Sequence, residues 1–529
     1  MALETIDLII VALYGVTLLG IALAVSREPA GQKKDTEDYF LAGKALPWWA
    51  IGASLIAANI SAEQIIGQSG QGFVVGLAIA AYEWQAAIVL LIVAKYFLPI
   101  FLQRQIFTMP QFLETRFGPE VKIVMAGFWL ILYTSVNLTS ILWLGGLALN
   151  AVTGWSVLAS MAGLAAFSVL YSLYGGLKAV ALTDIIQVLI LILGGFAILW
   201  ISLNLVGAGA GPVAGFGILL AELPSHFRMI LEPAHPSYSD LPGIWTLLGG
   251  LWVLHFSYWG FNQYIIQRAL GAQSLAEAQK GLAFAAFLKL LIPVIVVIPG
   301  IAALWLAQQG QLDAGALSAR PDSTYGTLMT LVPGGLRGLV FAALIAAIVS
   351  SLASMMNSIA TIFTMDVYRD HFVRSASEGH YVLVGRLTAL IAMVIALALA
   401  QPFLGGMTSA FQTIQEYTGF IAPGVVGVFL LGFFWKRTNA AGAFAILISS
   451  VVLNLFAKLG LPEVPFVLRI WVVFLCCIVI GVIVSMLTPR PTEGRAVDLT
   501  GLSLRTSTAF NVAGLVIVLI LAAIYFVFW

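Results

Sequence analysis

The chain has 529 residues, of which 61% are hydrophobic and 9% charged, and its formal net charge at pH 7 is +1. This composition excludes a soluble globular domain, and the lack of a basic excess argues against nucleic-acid binding. The sequence contains no paired His/Glu metal motif, nucleophile elbow or P-loop, so neither an enzyme nor an ATP-driven pump is predicted. We therefore expect an all-α polytopic protein of the lipid bilayer.

Hydropathy predicts about 14 transmembrane helices, because apolar runs long enough to cross roughly 30 Å of hydrocarbon recur along the whole chain. No separate soluble domain fits between them, so residues 1–529 are predicted to form a single membrane domain. The predicted spans are 6–25, 47–69, 77–101, 120–150, 155–175, 179–206, 244–268, 280–308, 333–365, 383–402, 408–434, 439–459, 465–488 and 509–528.

Basic residues predict the orientation of these spans. One alternating set of loops holds about 18 Lys and Arg residues and the other set about 5, and the richer set is expected to be cytoplasmic. With an even number of spans, both termini then lie outside the cell inner (plasma) membrane. The long connection 207–243 is also predicted to be outside, and Arg228 is its only Lys or Arg residue.

The second span carries a polar cluster that a lipid-facing helix would not tolerate. Each polar side chain without a partner in lipid costs several kcal/mol, so we expect the cluster to line a cavity. Glycines interrupt the same stretch, which is typical of a broken helix at a solute site. The cluster consists of Asn59, Ser61, Glu63, Gln64 and Gln68.

The seventh span is interrupted in the same manner, by polar residues and glycine between His255 and Gln263. The second and seventh spans lie five spans apart with opposite predicted orientations, which favours an inverted 5+5 repeat with a solute site where the two breaks meet. The alternative is that both are glycine-kinked packing helices. The repeat divides the chain into a flanking helix, two repeats and three C-terminal helices, at residues 6–25, 47–206, 244–434 and 439–529.

Oxygen atoms near the first break are suited to Na+, a hard cation. An unwound second span exposes the backbone carbonyls of Ala57 and Ile60. The ninth span adds the hydroxyls of Ser350 and Ser351, with the carbonyl of Ala347 one turn earlier. Together these groups predict a five-oxygen cage. Taken alone, the two serines also fit close helix packing, each hydroxyl bonding back to its own helix.

Other polar residues within the spans predict a substrate pocket. Gln64 and Gln68 lie one turn apart on one helix face, and amides, a carboxylate and an ammonium make a balanced set of donors and acceptors suited to a polyol or sugar. The alternatives are that Lys289 and Glu83 form a structural ion pair and that the aromatic residues belong to the ordinary core. The polar candidates are Gln64, Gln68, Glu83, Lys289, Gln415 and Glu416, and the aromatic ones are Tyr82, Tyr258, Trp259 and Phe411.

Two further residues remain ambiguous. Asp184, within the sixth span, either attracts a cation along its path or caps a neighbouring helix. His255, at the seventh-span break, either hydrogen-bonds the ligand or relays a proton.

Six segments together resemble the sodium:solute symporter family, and within it the sodium–glucose cotransporter type: Glu37–Lys44, Ala53–Gln64, Tyr174–Ala179, Tyr258–Arg268, Ile348–Ser354 and Ile414–Gly419. The resemblance implies a leucine-transporter-type fold and Na+-coupled uptake of a galactose- or glucose-like hexose by alternating access. It implies Na+ ligands at Ala57, Ile60, Ala347, Ser350 and Ser351, and sugar contacts from Asn59, Gln64, Glu83, Lys289 and Gln415. It also implies an inner gate at Tyr258, an outer gate at Tyr82 and Phe411, and an ion exit path past Asp184.

Three residues depart from the galactose-transporting pattern. Gln68 replaces a methionine, Ala86 a serine and His255 an asparagine, so the preferred sugar is left open. The alternatives are symport of inositol, an amino acid or sialic acid, proton coupling through His255 or Asp184, and a membrane sensor. An anionic solute is disfavoured because no arginine is predicted to be buried near the breaks. The sequence leaves the stoichiometry and oligomeric state open.

Overall fold

The computed structural model describes residues 3–26, 45–103, 108–407, 410–491, 497 and 501–529. These residues are helical or irregular, and an isolated bridge between Leu46 and Ala272 is their only β pairing. The all-α prediction is therefore confirmed. The motif Glu37–Lys44 lies outside the described residues.

The α-helices are numbered in chain order. Those of the first half are α1 (Thr5–Ser26), α2 (Trp48–Asn59), α3 (Gln68–Val74), α4 (Ala81–Ile92), α5 (Leu98–Gln103), α6 (Met109–Phe117), α7 (Pro119–Ile131), α8 (Thr139–Thr153), α9 (Val157–Val206), α10 (Pro212–Glu222), α11 (Ile244–Leu248) and α12 (Gly250–His255).

Those of the second half are α13 (Gln263–Leu270), α14 (Leu275–Gln308), α15 (Ala314–Ala319), α16 (Thr324–Thr330), α17 (Leu336–Thr361), α18 (Arg369–His371), α19 (Glu378–Leu404), α20 (Ala410–Gly419), α21 (Ala422–Phe434), α22 (Ala440–Gly460), α23 (Phe466–Leu487) and α24 (Thr508–Val527). Wider π-helical turns occupy Glu63–Gly67, Val93–Phe97, Leu132–Leu138, Phe256–Gly260 and Ile362–Tyr368, and 3₁₀ turns occupy Leu77–Ala80, Pro224–Phe227 and Pro321–Ser323.

In the described residues, ten helical segments are long and apolar enough to cross a membrane, and a bent pair makes an eleventh. This number is three smaller than the predicted 14, and the difference lies in the predicted first, fifth and seventh spans. The predicted spans 155–175 and 179–206 both lie on α9, and the apolar stretches Thr5–Ile21 of the first span and Val157–Leu170 of the fifth are too short to be counted among the eleven. The predicted span 244–268 is divided among α11, α12 and α13, each too short to cross alone.

The second span is broken, as its polar and glycine-rich sequence predicts. The segments Trp48–Asn59 and Glu63–Val74 meet at an angle of 60°. Ile60, between them, is extended, with φ −77° and ψ 91°. In the seventh span the chain leaves the helix at Phe261 and is extended at Asn262, so both interruptions lie among the polar residues.

The long helix α14 packs against α2, α3 and α4 and holds the first break in place. Glycine allows a close approach between α3 and α14, because a Cβ on Gly72 would lie 2.6 Å from the backbone oxygen of Val297. Close contact between backbones of this kind is how small residues stabilise helix pairs in membranes. Helix α9 packs along α17, which carries Ser350 and Ser351.

Candidate functional site

The two broken spans meet at a cavity inside the helical bundle. Helices α4, α14 and α20 complete its walls. Nine of the ten residues predicted to bind substrate line this cavity: Asn59, Gln64, Gln68, Tyr82, Glu83, His255, Tyr258, Lys289 and Gln415. The structure therefore brings together residues that are up to 356 positions apart (415 − 59) in the sequence.

The charged centre of the cavity is the ion pair between Lys289 and Glu83. The Lys289 ammonium donates to Glu83 Oε2 and to Asn59 Oδ1, and only 1% of the lysine side chain is exposed. The same ammonium lies 4.8 Å from the centre of the Trp259 ring. A buried charge needs such compensation, because an unpaired ion in hydrocarbon is costly.

Gln68 completes this network on the other side of the carboxylate. Its Nε2 donates to Glu83 Oε1 at 2.6 Å, so both carboxylate oxygens accept hydrogen bonds. Gln68 is 1% exposed and Glu83 is 2% exposed. A hydroxyl group that bound Glu83 would therefore have to join or replace an existing hydrogen bond.

Three polar atoms of cavity-lining residues are buried without a hydrogen-bond partner in the described part of the chain. They are Gln68 Oε1, Tyr82 Oη and His255 Nε2. An unpartnered buried polar atom costs about 1–3 kcal/mol. A bound solute with several hydroxyl groups can supply the missing partners, because each hydroxyl both donates and accepts.

Aromatic rings bound the cavity on two sides. Tyr258 is half-buried, accepts from Asn59 Nδ2 at 3.0 Å and contacts the hydroxyl of Tyr264. Tyr82 packs edge-to-face against Phe411, with ring centres 5.3 Å apart. Phe411 does not line the cavity itself and lies behind Tyr82, so the structure makes it a support for that ring.

Gln64 serves the helix break as well as the cavity. Its Oε1 accepts from the backbone N–H of Ser61 at 3.0 Å and from the Ser61 hydroxyl at 2.8 Å. The backbone groups left free where a helix unwinds must find partners in the absence of water. Gln64 thereby stabilises the unwound segment that also exposes the predicted ion ligands.

The predicted Na+ ligands lie on two elements, the second span and α17, which are joined by a contact of Ser351. All five are buried: Ala57, Ile60, Ala347, Ser350 and Ser351. The Ser351 hydroxyl lies 3.5 Å from the Ala57 carbonyl and 3.0 Å from that of Ala58. The Ser350 hydroxyl instead donates to Asp184. The structure therefore joins the candidate ion ligands to the carboxylate assigned to the exit path.

Asp184 lies in a buried polar network that also contains Arg268. Its carboxylate accepts from Ser54 and Ser350, and the Arg268 guanidinium lies 3.8 Å away. Arg268 is fully buried, so the prediction that no arginine is buried near the breaks is wrong. Arg268 lies in the last turn of α13, and its guanidinium donates to the Ser54 carbonyl and hydroxyl. It does not line the cavity.

Sequence reasoning missed several cavity-lining residues. Glu63 was grouped with the polar cluster but received no role, and its carboxylate accepts from Ser140. Asn137 lies in the apolar span 120–150, where a polar side chain is itself a signal. The other residues missed were Leu254, Asn262, Ile414 and Thr418.

Known proteins that are similar to this chain are Na+-coupled symporters. Residues 39–449 match the model of the sodium:solute symporter family. A sodium/glucose cotransporter of Vibrio parahaemolyticus is 48% identical, over 100% of this chain and 99% of the relative. The human sodium/myo-inositol cotransporter 2 is 34% identical, over 86% of this chain and 70% of the relative.

Two solved structures share the fold. A Na+-coupled sialic acid symporter in a substrate-bound, outward-open state has a TM-score of 0.81 at 23% identity, over 93% of this chain and 99% of that chain. A nucleobase–cation symport-1 family transporter has a TM-score of 0.54 at 15% identity, over 89% and 98%. With a family match over most of its length and a full-length relative at 48% identity, this chain belongs to the sodium:solute symporter family and is a multi-pass membrane transporter, not an enzyme.

Proposed function

We propose that the protein couples the inward movement of Na+ to the uptake of a galactose- or glucose-like hexose by alternating access. The observation that carries the proposal is the buried cavity at the meeting of two broken helices, whose charged pair and amides can bind neutral hydroxyl groups. The full-length relative at 48% identity is named a sodium/glucose cotransporter, which supports the same substrate class.

In this proposal the sugar hydroxyls bind Asn59, Glu83, Lys289 and Gln415, with Gln64 and Gln68 beside them. Gln415 is half-buried and has no side-chain hydrogen bond within the described residues, so its amide is free for the substrate. His255 selects among sugars through its unpartnered Nε2. Tyr258 closes the cavity on the inner side, and Tyr82 with Phe411 closes it on the outer side.

Na+ binds, in this proposal, to the carbonyls of Ala57, Ile60 and Ala347 and the hydroxyls of Ser350 and Ser351. The ion joins the unwound second span to α17, so its binding stabilises the cavity wall formed by the same span. Asp184 receives the ion on its way inward, since it already accepts a hydrogen bond from Ser350.

One Na+ per sugar is energetically sufficient. One charge crossing about 100 mV releases roughly 2.3 kcal/mol, and a tenfold ion gradient adds about 1.4 kcal/mol. The sum of about 3.7 kcal/mol supports a sugar gradient of several hundred-fold.

We further propose 14 spans with an inverted repeat of spans 2–6 and 7–11, both termini outside the inner membrane. The fifth and sixth spans of this topology correspond to the apolar stretches Val157–Leu170 and Val180–Val206, both within α9. The short helices α11 to α13 together form the seventh span.

A second candidate is uptake of a cyclic polyol such as myo-inositol. Relatives from several mammals, 32–34% identical, are named sodium/myo-inositol cotransporters. The cavity's charges suit any neutral polyhydroxylated ring, so the polar groups alone do not separate the two solutes.

The test is uptake of labelled galactose, glucose and myo-inositol into liposomes that contain the purified protein, with an inward Na+ gradient or with K+ replacing Na+. We expect Na+-dependent uptake of a hexose, and uptake of myo-inositol alone would establish the second candidate. Gln415→Ala should abolish uptake, whereas Gln401→Ala, an exposed glutamine on α19, should leave it unchanged. Equal uptake in Na+ and K+ would refute ion coupling.

A further inference from the structure

The half-helix α20 carries one wall of the cavity and is separated from α21 by a break. Phe411, Gln415 and Thr418 lie on α20, and the chain leaves the helix at Phe420 and Ile421. Pro423, in the first turn of α21, cannot donate a backbone hydrogen bond. The break therefore leaves backbone groups that require partners from elsewhere.

Those partners come from one face of α22, a helix that contributes nothing to the cavity lining. Ser450 Oγ donates to the Phe420 carbonyl at 2.8 Å and accepts from the Gly424 N–H at 2.9 Å. Asn454 Nδ2 donates to the Gly419 and Phe420 carbonyls at 3.3 and 3.4 Å. Both side chains are at most 5% exposed.

The same face of α22 continues to an ion pair on α20. Lys458 Nζ donates to Glu416 Oε2 at 3.1 Å, and Arg469 of α23 donates to Glu416 Oε1 at 2.6 Å. Lys458 also lies 4.6 Å from the centre of the Tyr417 ring. Ser450, Asn454 and Lys458 are spaced by four residues, so they share one helix face; we name these three residues the α22 rail.

Glu416 and the substrate residue Gln415 are adjacent in sequence, so their side chains point about 100° apart around α20. Gln415 lines the cavity while Glu416 is bound to α22 and α23. Any rotation or tilt of α20 that displaces Glu416 also displaces Gln415. The position of the cavity wall is thus coupled to contacts made outside the cavity.

We propose that the α22 rail, together with Arg469, is a positioning surface that holds α20 against the substrate, and that Glu416 is the positioning residue through which it acts. The proposal rests on the proposed sugar uptake, and it assigns a role in substrate affinity to two of the three C-terminal helices. When Glu416 loses its charge, α20 becomes more mobile about the break at residues 420–421.

The experiment compares Glu416→Gln with the wild type by two measurements. Hydrogen–deuterium exchange of the purified protein, measured without sugar, reports how strongly the backbone of residues 410–419 is protected. Uptake into liposomes reports the half-saturating sugar concentration and the maximal rate. We expect faster exchange in α20 and an approximately tenfold higher half-saturating concentration, equivalent to about 1.4 kcal/mol, with a maximal rate within about twofold of the wild type.

Matched variants separate positioning from general damage. Lys280→Gln removes an exposed lysine pair at the start of α14 and should change neither measurement. Arg469→Gln should reproduce part of the Glu416→Gln effect, and the double variant should be no worse than Glu416→Gln alone, because both act through one contact. Restoration of affinity in Glu416→Asp would support a role for the charge.

Three outcomes would overturn the proposal or its basis. Unchanged exchange in α20 would show that the rail does not hold the half-helix. Faster exchange with unchanged half-saturation would show that the hold does not position the substrate residues. A wild type without sugar uptake would overturn the proposed function and the affinity role together, while the exchange measurement would still decide whether the rail holds α20.

Discussion

The buried pair of Lys289 and Glu83 gives the sharpest test of the cavity, because a structural role and a substrate role predict different behaviour of a double variant. Both side chains are at most 3% exposed, and the lysine supplies the only cation paired with this carboxylate in the described residues. Lys289→Met leaves Glu83 charged and buried. Such an uncompensated charge costs about 3–5 kcal/mol.

The double variant Glu83→Gln/Lys289→Met removes both charges and keeps the volumes close to the original. Replacement of a buried ion pair by neutral groups is often neutral or stabilising, so we expect its stability to lie within about 1 kcal/mol of the wild type. Sugar uptake should be absent in the single and in the double variant, because the sugar has lost its charged hydrogen-bond partners.

The assay pairs thermal unfolding of the detergent-purified protein with uptake into liposomes. Lys436→Met, which removes an exposed lysine, is the control and should behave as wild type in both measurements. Recovery of uptake by the double variant would show that the pair only stabilises the fold. A single variant as stable as the wild type would refute the reasoning about the buried charge.

Three further predictions test the ion site, the sugar selectivity and a buried carboxylate between two membrane-spanning helices. Ser351→Ala should raise the Na+ concentration for half-maximal uptake roughly tenfold, by loss of an oxygen ligand, and unaltered Na+ dependence would remove Ser351 from the cage. His255→Asn should change the ratio of galactose to glucose uptake several-fold, and a constant ratio would exclude a selective role. Asp322 lies between the spans at 275–308 and 336–371, is 6% exposed and accepts from the Ala410 N–H at 2.9 Å. Burial raises the pKa of Asp322 from 3.8 to about 6, although the Ala410 N–H and Arg320 act to lower it. Because the folded protein favours the protonated acid, Asp322 contributes fully to stability below about pH 4, and this contribution of roughly 3 kcal/mol is lost as the pH rises through 6. Asp322→Asn should lack this pH-dependent loss of stability. Identical pH profiles of thermal unfolding in the variant and the wild type would contradict this.

The sequence predicted the positions of the breaks because their cause is local. Polar and glycine residues between Ala57 and Gly70 cannot continue a lipid-facing helix, and the structure bends there by 60°. The four-residue spacing of Gln64 and Gln68 likewise predicted that both would face one side, and both line the cavity. Local pattern and helix geometry were sufficient for these features.

Partner choice was not predictable, because it depends on how distant helices are aligned. Ser350 was expected to face an ion, but its hydrogen bond to Asp184, 166 positions away in sequence, was not predicted. No arginine was expected to be buried near the breaks, but the guanidinium of Arg268 is buried and donates to Ser54 on another helix. The pairing of spans 155–175 and 179–206 into α9 also depends on packing along α17, which hydropathy does not encode.

The helix interruptions around the cavity are stabilised in the same way, by side chains that bind backbone groups at each break. At the first break, Gln64 binds the N–H of Ser61. At the seventh-span break, the Tyr133 hydroxyl donates to Asn262 at 2.5 Å and accepts from the Gln263 N–H.

The break after α20 is held in the same way by Ser450 and Asn454. Each interruption thus depends on a few side-chain hydrogen bonds, and such bonds are either made or lost. A transporter needs elements with discrete alternative arrangements rather than continuously deformable ones. The hydrogen bonds at the breaks provide such discrete arrangements in a part of the molecule that is shielded from water. This explains why the side chains that hold the breaks lie so close to those proposed to bind the solute.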